Sequence, residues 1–357
     1  MAIFDANGSI RAAGDRRHLA RMVTIALAVA LVLVSIFSLN VGASGTSVRP
    51  LLQALFAGHE MPVRHRIILL DIRLPRLFEG ILVGAALAVS GALLQGLFRN
   101  PLADPGLVGV TAGASLGAVT AIVLGGFLPV AFLARIGSWL VPTAAFFGSW
   151  VVTLMLYSVS TRGGRTSVAV MLLAGIAFQA LAGAVTGIML YLADDTQLRD
   201  LTFWQLGSLS GATWTKVSSA LPFICAALIA APLLARSLNG LALGEAAAAH
   251  LGIPVQRAKA LVVLAVASAV GAAVAISGGI GFVGIVVPHL LRLVIGPEHR
   301  YLLFASGFMG AIMLIGADMI ARVIVAPAEL PIGVVTALVG GPFFLYILLR
   351  NRSVLDV

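Results

Sequence analysis

The sequence is dominated by apolar runs of about 20 residues in which apolar and polar positions do not alternate. About 20 helical residues cross a bilayer core of about 30 Å, whereas a membrane β-strand needs about ten with strict alternation. Because lipid offers the backbone no hydrogen bonds, these spans must be helices. The composition agrees, since 60% of the residues are apolar and only 10% are charged. The chain is therefore predicted to be an all-α polytopic membrane protein.

Turn residues and charges divide the chain into about ten transmembrane helices. They are expected near residues 22–40, 76–97, 106–126, 140–160, 168–192, 215–236, 258–277, 280–296, 301–320 and 332–349. Residues 1–21 and 351–357 are predicted to be terminal tails, and 22–350 a single transmembrane domain. An even number of spans puts both tails on one side, and the loop charges modestly favour the cytoplasm.

Two basic segments need a separate explanation. Arg16, Arg17 and Arg21 precede a first apolar run that is longer than a usual signal-peptide core, so an uncleaved first helix is predicted. The segment near 41–75 is the chief exception to the charge rule. It places five arginines on the outer side, which suggests that they have another role: Arg49, Arg64, Arg66, Arg73 and Arg76.

The other charged and sulfur-containing residues exclude several functions. The net charge of +9 does not indicate nucleic-acid binding, because the basic residues are scattered singly between apolar runs. Cys225 is the single cysteine, so no disulfide or thiolate metal site can form within the chain. The six histidines form no ligand pair at helical spacing, so no metal site is predicted.

An internal repeat supports the span count. Residues 84–91 (GAALAVSG) recur as residues 271–278 (GAAVAISG), with six of eight positions identical. The two copies lie on spans two and seven, so they must cross the membrane in opposite directions. Inverted repeats of this kind, here spans 2–5 and 7–10, are common in transporters. Coincidence in a chain rich in alanine and glycine is the alternative.

Nucleotide-binding and catalytic motifs are absent or out of context. Residues 279–284 fit a dinucleotide fingerprint and residues 113–117 a nucleophile elbow, but both motifs require a preceding strand, and here the context is apolar helix. A P-loop needs Gly-Lys-Ser/Thr, and the two lysines, Lys216 and Lys259, follow threonine and alanine. If ATP drives this chain, a second polypeptide must supply the ATPase.

Four segments resemble the permease subunits of type II ATP-binding-cassette (ABC) importers, which carry iron-siderophores, haem or cobalamin. They are Arg73–Gly106, Leu243–Ile253, Gly281–His289 and Ala328–Gly333. The resemblance implies a homodimer with two cytoplasmic ATPases and a periplasmic binding protein in the bacterial inner membrane. It also implies that the chain is not an enzyme and binds no cofactor, and that ATP is used by the partner subunit.

The same resemblance assigns roles to residues at both membrane faces. Arg73, Arg76 and Arg322 match family positions that receive acidic residues of the binding protein, although an i,i+4 pair with Asp318 is a purely structural alternative for Arg322. The segment 238–256 matches the coupling helices that contact the ATPase. Its expected contact residues are Gly244, Glu245, Ala246, Ala247 and Gly252.

The fifth span lines the translocation pathway in the family. Gly175, Gln179, Gly183 and Gly187 recur every four residues on one face of this span. They are candidates for a small, weakly polar wall. Equally, Gly183 and Gly187 fit a helix-packing motif.

Haem is the preferred cargo, because residues 198–214 look closer to haem permeases than to the others. A ferric siderophore is the second candidate and cobalamin the third. An ion-coupled secondary transporter is a different class. It usually needs an ionisable residue at mid-membrane, whereas Glu79 and Asp318 lie near the ends of their spans.

Overall fold

A computed structural model describes residues 3–4, 10–11, 16–42, 62–326 and 328–350. Two short antiparallel strand pairs are present, β1–β2 (Ile3–Phe4, Ile10–Arg11) and β3–β4 (Thr161–Arg162, Arg165–Thr166). The helices are α1 Arg17–Ser38, α2 Val63–Phe98, α3 Val110–Leu124, α4 Val130–Ser160, α5 Val168–Leu192, α6 Asp195–Leu206, α7 Trp214–Leu241, α8 Glu245–His250, α9 Val255–Ser277, α10 Val283–Ile295, α11 His299–Val323 and α12 Ile332–Arg350. The prediction of an all-α fold is confirmed.

Eight of these helices are long and apolar enough to cross a membrane, namely α1 to α5, α7, α9 and α11. Two more, α10 and the Ile332–Tyr346 part of α12, are apolar but shorter. These ten helices follow the order of the predicted spans, while ten membrane crossings remain a prediction. The tail at 351–357 and most of residues 1–15 lie outside the described residues.

Two helices begin earlier than the sequence predicts. α2 begins at Val63 and α4 at Val130, rather than near 76 and 140. The segment added to α4 contains Arg135, and the segment added to α2 contains Arg64, Arg66 and Arg73; hydropathy counts such residues against a span. Arg73 is buried against protein groups, so the helix continues through it. The hydrophilic stretch near 193–214 also contains a helix, α6, which Asp194 and Gln197 begin with a reciprocal capping box.

The packing of the repeat agrees with a two-fold internal relation. Gly84 on α2 lies against the backbone of Gly310 on α11, and its counterpart Gly271 on α9 lies against Ser149 on α4. If spans 2–5 repeat as 7–10, α2 corresponds to α9 and α4 corresponds to α11. The two glycines therefore sit at equivalent helix crossings.

The two copies also run in opposite directions. Gly80, four residues before the first copy of the repeat, lies against Leu209. The neighbouring Ser208 N–H donates to the carbonyl of Ser277 near the end of the second copy, at 2.8 Å. The beginning of one copy thus lies beside the end of the other, as an inverted repeat requires. The helices α2 and α9 are largely buried at the centre of the bundle, whereas α1 and α5 lie at its periphery.

The glycine crossings leave no room for a side chain. A Cβ on Gly91 of α2 would overlap the carbonyl oxygen of Gly284 on α10. We expect Gly91→Ala to lower the free energy of unfolding by about 1–3 kcal/mol, as overpacking of a dense interior does. Denaturant unfolding in detergent measures this. Gly137→Ala is the matched control, because a Cβ there meets no described atom within 4 Å. An equal loss of stability in both variants would contradict the close crossing.

Candidate functional site

The candidate residues lie at the two ends of the α-helical part of α2, Leu74–Phe98. Arg76 lies near the start of this part, and Arg99, which follows its end, lies beside Gly244 at the entry to α8. A helix rises 1.5 Å per residue, so these residues are about 35 Å apart. We call the first the arginine end and the second the Glu245 end.

The arginine end holds a buried ion network, the arginine cluster, formed by Arg73, Arg76, Asp318, Arg322 and Glu329. Arg76 is its centre. Its Nε donates to Asp318 Oδ1 at 3.0 Å, and its Nη1 donates to Glu329 Oε1 at 2.9 Å. Nη2 lies 2.8 Å from Asp318 Oδ1 and 2.9 Å from Glu329 Oε2. One guanidinium fork therefore joins α2, α11 and the segment before α12.

The other two arginines tie α1 to the cluster. Arg322 pairs with Asp318 one turn earlier on α11, and its Nη1 lies 3.4 Å from the carbonyl oxygens of Ser38 and Val41. Arg73 Nη1 donates to the carbonyl of Leu39. These carbonyls belong to the last turn of α1 and the residues after it, where the helix no longer supplies its regular N–H donors, although Ser38 also accepts from the Val41 N–H at 3.3 Å. A π-helical stretch, Ile67–Arg73, leads α2 into this position.

Burial distinguishes the members of the cluster. The three arginines are buried, as is Asp318, whereas the Glu329 side chain is 37% exposed. Glu79, one turn after Arg76, is fully buried. Among the described residues neither of its carboxylate oxygens has a hydrogen-bond partner. The arginines and Asp318 are therefore held by one another and by backbone carbonyls rather than by water.

At the Glu245 end, a buried lysine anchors the short helix α8. Lys259 Nζ lies 2.7 Å from Glu245 Oε1 and donates to the Thr166 carbonyl at 2.8 Å. Gln256 accepts from the Thr166 N–H at 3.0 Å. Thr166 belongs to the β3–β4 hairpin that leads into α5. Lys259 on α9 thus connects α8 to the start of α5.

The outer face of α8 is apolar and exposed. Gly244 and Gly252 bracket the helix with positive φ angles of 103° and 78°, which glycine adopts without steric cost. Ala248 packs inward, while Ala246 is exposed and Ala247 is half-buried. Leu243 and Leu251, on either side of the helix, are 69% and 58% exposed.

The loop between α2 and α3 contains a half-buried acid. Asp104 accepts a hydrogen bond from the Gly106 N–H at 2.8 Å and begins the 3-10 turn Pro105–Val108. Burial raises the pKa of the Asp104 carboxyl above its usual value, and the hydrogen bond from Gly106 opposes that shift. The loop is thereby fixed against Gly284 at the start of α10.

The four candidate pathway residues on α5 do not share one environment. Gly175 packs against the backbone carbonyl of Leu107, so it serves packing within the chain. Gln179, Gly183 and Gly187 are exposed. A Cβ on Gly183 or Gly187 meets no described atom within 4 Å, so within the described chain these two glycines do not form the predicted helix-packing contact.

Comparison with known proteins decides the family. The model of the FecCD transport family matches residues 30–350. The chain belongs to the FecCD transport family. It is 45% identical over 327 residues to the hemin transport system permease protein HmuU of Yersinia pestis, covering 92% of this chain and 95% of that one. The cobalamin import system permease BtuC of Halobacterium salinarum is 44% identical, covering 82% and 76%.

A solved structure shares the fold of this FecCD family member. It is an inward-facing conformation of a protein described as a metal-chelate type ABC transporter. It superposes with a TM-score of 0.81 at 29% identity and covers 92% of this chain and 99% of that one. The resemblance to ABC importer permeases is confirmed, and a multi-span membrane location follows from it.

Within this FecCD chain the structure brings together all three predicted docking arginines. The i,i+4 pair of Arg322 with Asp318, the structural alternative, is present. Docking itself stays a prediction. Sequence reasoning missed the partners Glu329 and Lys259, although Glu329 lies inside one of the four family segments. A buried charge among apolar residues, as at Lys259, is the signal that indicates a specific partner.

Proposed function

We propose that this protein is the membrane-spanning permease subunit of an ABC importer that moves haem across the bacterial inner membrane into the cytoplasm. The observation that carries the proposal is the 45% identity to a hemin permease along 92% of this chain and 95% of that one. The cobalamin permease of similar identity covers less of both chains. A ferric siderophore remains the alternative cargo.

The proposed assembly contains two copies of this chain, two cytoplasmic ATPase subunits and a periplasmic binding protein. The Glu245 end and both termini face the cytoplasm, and the arginine end faces the periplasm. The chain carries no P-loop, so the ATPase subunits bind the ATP. In this proposal the chain makes and breaks no bonds and needs no cofactor.

The exposed apolar face of α8 suits contact with the ATPase. Leu243, Ala246 and Leu251 offer surface that water does not favour. A displacement of α8 is transmitted to Lys259 through its ion pair with Glu245. Lys259 also donates to Thr166 in the hairpin before α5. The ATPase can thereby change the position of α5, the proposed pathway helix. ATP hydrolysis would alternate the pathway between states of different affinity for the cargo.

Burial of the arginine cluster changes how docking would occur. Arg76 is already paired, so an acidic residue of the binding protein would exchange with Glu329, the partly exposed partner. Exchange keeps the buried guanidinium neutralised throughout, which avoids the large cost of an unpaired buried charge. The cluster then links binding-protein arrival to α1, α2 and α11.

The pathway is proposed to lie between two copies, along Gln179, Gly183 and Gly187 of α5. These residues are exposed in the single chain and present little side-chain surface. A pathway surface of small residues suits a bulky cargo, because the cargo must also dissociate from it. Gly175, by contrast, holds α5 against Leu107.

Cargo is tested by reconstituting the chain in liposomes with its ATPase and its binding protein. Haem, a ferric siderophore and cobalamin are then compared for uptake with ATP enclosed. We expect haem uptake to exceed the other two at least tenfold. Siderophore or cobalamin uptake without haem uptake would refute the cargo and leave the importer assignment standing.

A further inference from the structure

A basic cavity lies between α1 and α10 at the Glu245 end. Its volume is about 380 Å³, and Arg16, Arg17, Arg292, Ile295 and Glu298 line it. Three arginines and one glutamate therefore line it. Neither the arginine cluster nor the α8 region includes these residues, so the transport sites described above do not explain the excess positive charge.

The guanidiniums are held in place. Arg16 Nη1 donates to the carbonyl oxygens of Leu293 and Val294, at 3.2 and 3.4 Å, on the last turn of α10. Arg17 Nε lies 3.7 Å from Glu298 Oε2. Arg292 Nη2 makes only long contacts, 3.5 Å, to the Ala92 carbonyl and to His299 Nε2. The two exposed arginines, Arg16 and Arg17, thus each contact a group across the cavity.

Donor groups at the cavity lack acceptors. In the described chain, Arg292 Nε is buried without a hydrogen-bond partner, and a buried donor of this kind is costly. α1 begins at the cavity with no side-chain cap and no acidic residue in its first turn. Basic residues at a helix N-terminus oppose the helix dipole. Because the Arg292 Nε is inaccessible to solvent, the basic, uncapped start of α1 is the feature that favours an anion in the cavity.

Apolar side chains next to the cavity define the class of anion. Leu19 and Met22, within the first two turns of α1, are 44% and 56% exposed, and Leu293 on α10 is 61% exposed. α1 is long and apolar enough to cross a membrane, so in the proposed orientation its exposed apolar side chains face lipid. The cavity thus lies where hydrocarbon meets headgroup. A soluble phosphate would use the arginines alone, whereas a phospholipid also uses the apolar rim.

We propose that this cavity is a binding site for the phosphate headgroup of an anionic phospholipid. The phosphate oxygens accept from Arg16, Arg17 and Arg292, and the acyl chains lie along Leu19, Met22 and Leu293. Basic pockets between transmembrane helices on the cytoplasmic side commonly take such headgroups. The lipid fastens the peripheral helix α1 to α10 at the end opposite to the arginine cluster.

The test uses the full-length chain in detergent, titrated with dioleoyl phosphatidylglycerol or with dioleoyl phosphatidylcholine. Lipid retained per chain is counted by native mass spectrometry. The double variant Arg16→Gln with Arg17→Gln should weaken phosphatidylglycerol binding about fivefold per arginine removed, and phosphatidylcholine binding should not change. The matched control, Arg21→Gln with Arg300→Gln, removes two exposed arginines near the same end that do not line the cavity.

Three outcomes would overturn the proposal: equal binding of the two lipids, an equal loss in the control variant, or displacement of the lipid by glycerol phosphate at equal concentration. If the double variant does not fold, Glu298→Gln provides the opposite test. It removes the cavity's carboxylate and should tighten phosphatidylglycerol binding. Unchanged or weaker binding in Glu298→Gln would also contradict the site.

Discussion

Replacing Arg76 by alanine is expected to lower the free energy of unfolding by about 3–5 kcal/mol, the usual cost of removing one partner from a buried ion pair. The variant leaves Asp318, which is 2% exposed, with Arg322 as its ion-pair partner, and it removes the arginine from Glu329. It also removes the ion pair that joins α2 to α11 at the arginine end. Thermal unfolding of the purified chain in detergent measures the loss, together with the yield of folded protein.

The matched control is Arg66→Ala, an exposed arginine ten residues earlier on α2. Its stability should stay within the error of the measurement. The double variant Arg76→Met with Glu329→Gln removes one cation and one anion together and leaves Asp318 paired with Arg322. Because buried ion pairs are often replaceable by neutral groups, this variant should be more stable than Arg76→Ala. Full stability of Arg76→Ala would show that the cluster does not hold the helices.

Replacing Lys259 by alanine is expected to abolish most ATP-driven uptake while the ATPase subunits still hydrolyse ATP. The lysine is 2% exposed and joins Glu245 of α8 to the hairpin before α5. Without it the Thr166 carbonyl loses its charged donor, at a cost of about 1–3 kcal/mol, and α8 loses its contact to α9. We expect uptake per ATP hydrolysed to fall at least tenfold.

Two variants separate coupling from simple loss of charge. Arg257→Ala removes an exposed cation two residues earlier on α9 and should leave uptake per ATP unchanged. Glu245→Gln keeps a hydrogen-bond acceptor for Lys259 and should have a smaller effect than Lys259→Ala. If Lys259→Ala transports as efficiently as the parent chain, α8 is not coupled through this residue.

The sequence alone could predict which segments are helices, because a helix of about 20 apolar residues is specified locally. α5 was predicted to within a residue, at 168–192. The repeat and the direction of its copies also followed from spacing. Predicted helix starts were less accurate where a charged residue interrupts an apolar span. The free-energy cost of burying Arg73 depends on its hydrogen bond to the carbonyl of Leu39, which is distant in the sequence.

The candidate site shows the same division between local and distant contacts. The Arg322–Asp318 pair could be predicted because its members are four residues apart. The pairing of Arg76 with Asp318 spans 242 positions, and that with Glu329 spans 253. No periodicity reveals such contacts. The environments of Gly175 and Gly183 also depend on distant contacts. The two glycines share the four-residue spacing, but Leu107 lies against Gly175 and not against Gly183.

The central claim is that this chain is a passive permease driven by an ATPase on another polypeptide. The most direct measurement is haem uptake into liposomes that contain this chain, the binding protein and internal ATP, with and without the ATPase subunits. A proton ionophore is added in a parallel sample. We predict uptake only with the ATPase present and no effect of the ionophore. Uptake that persists without the ATPase, or that stops with the ionophore, would contradict the account.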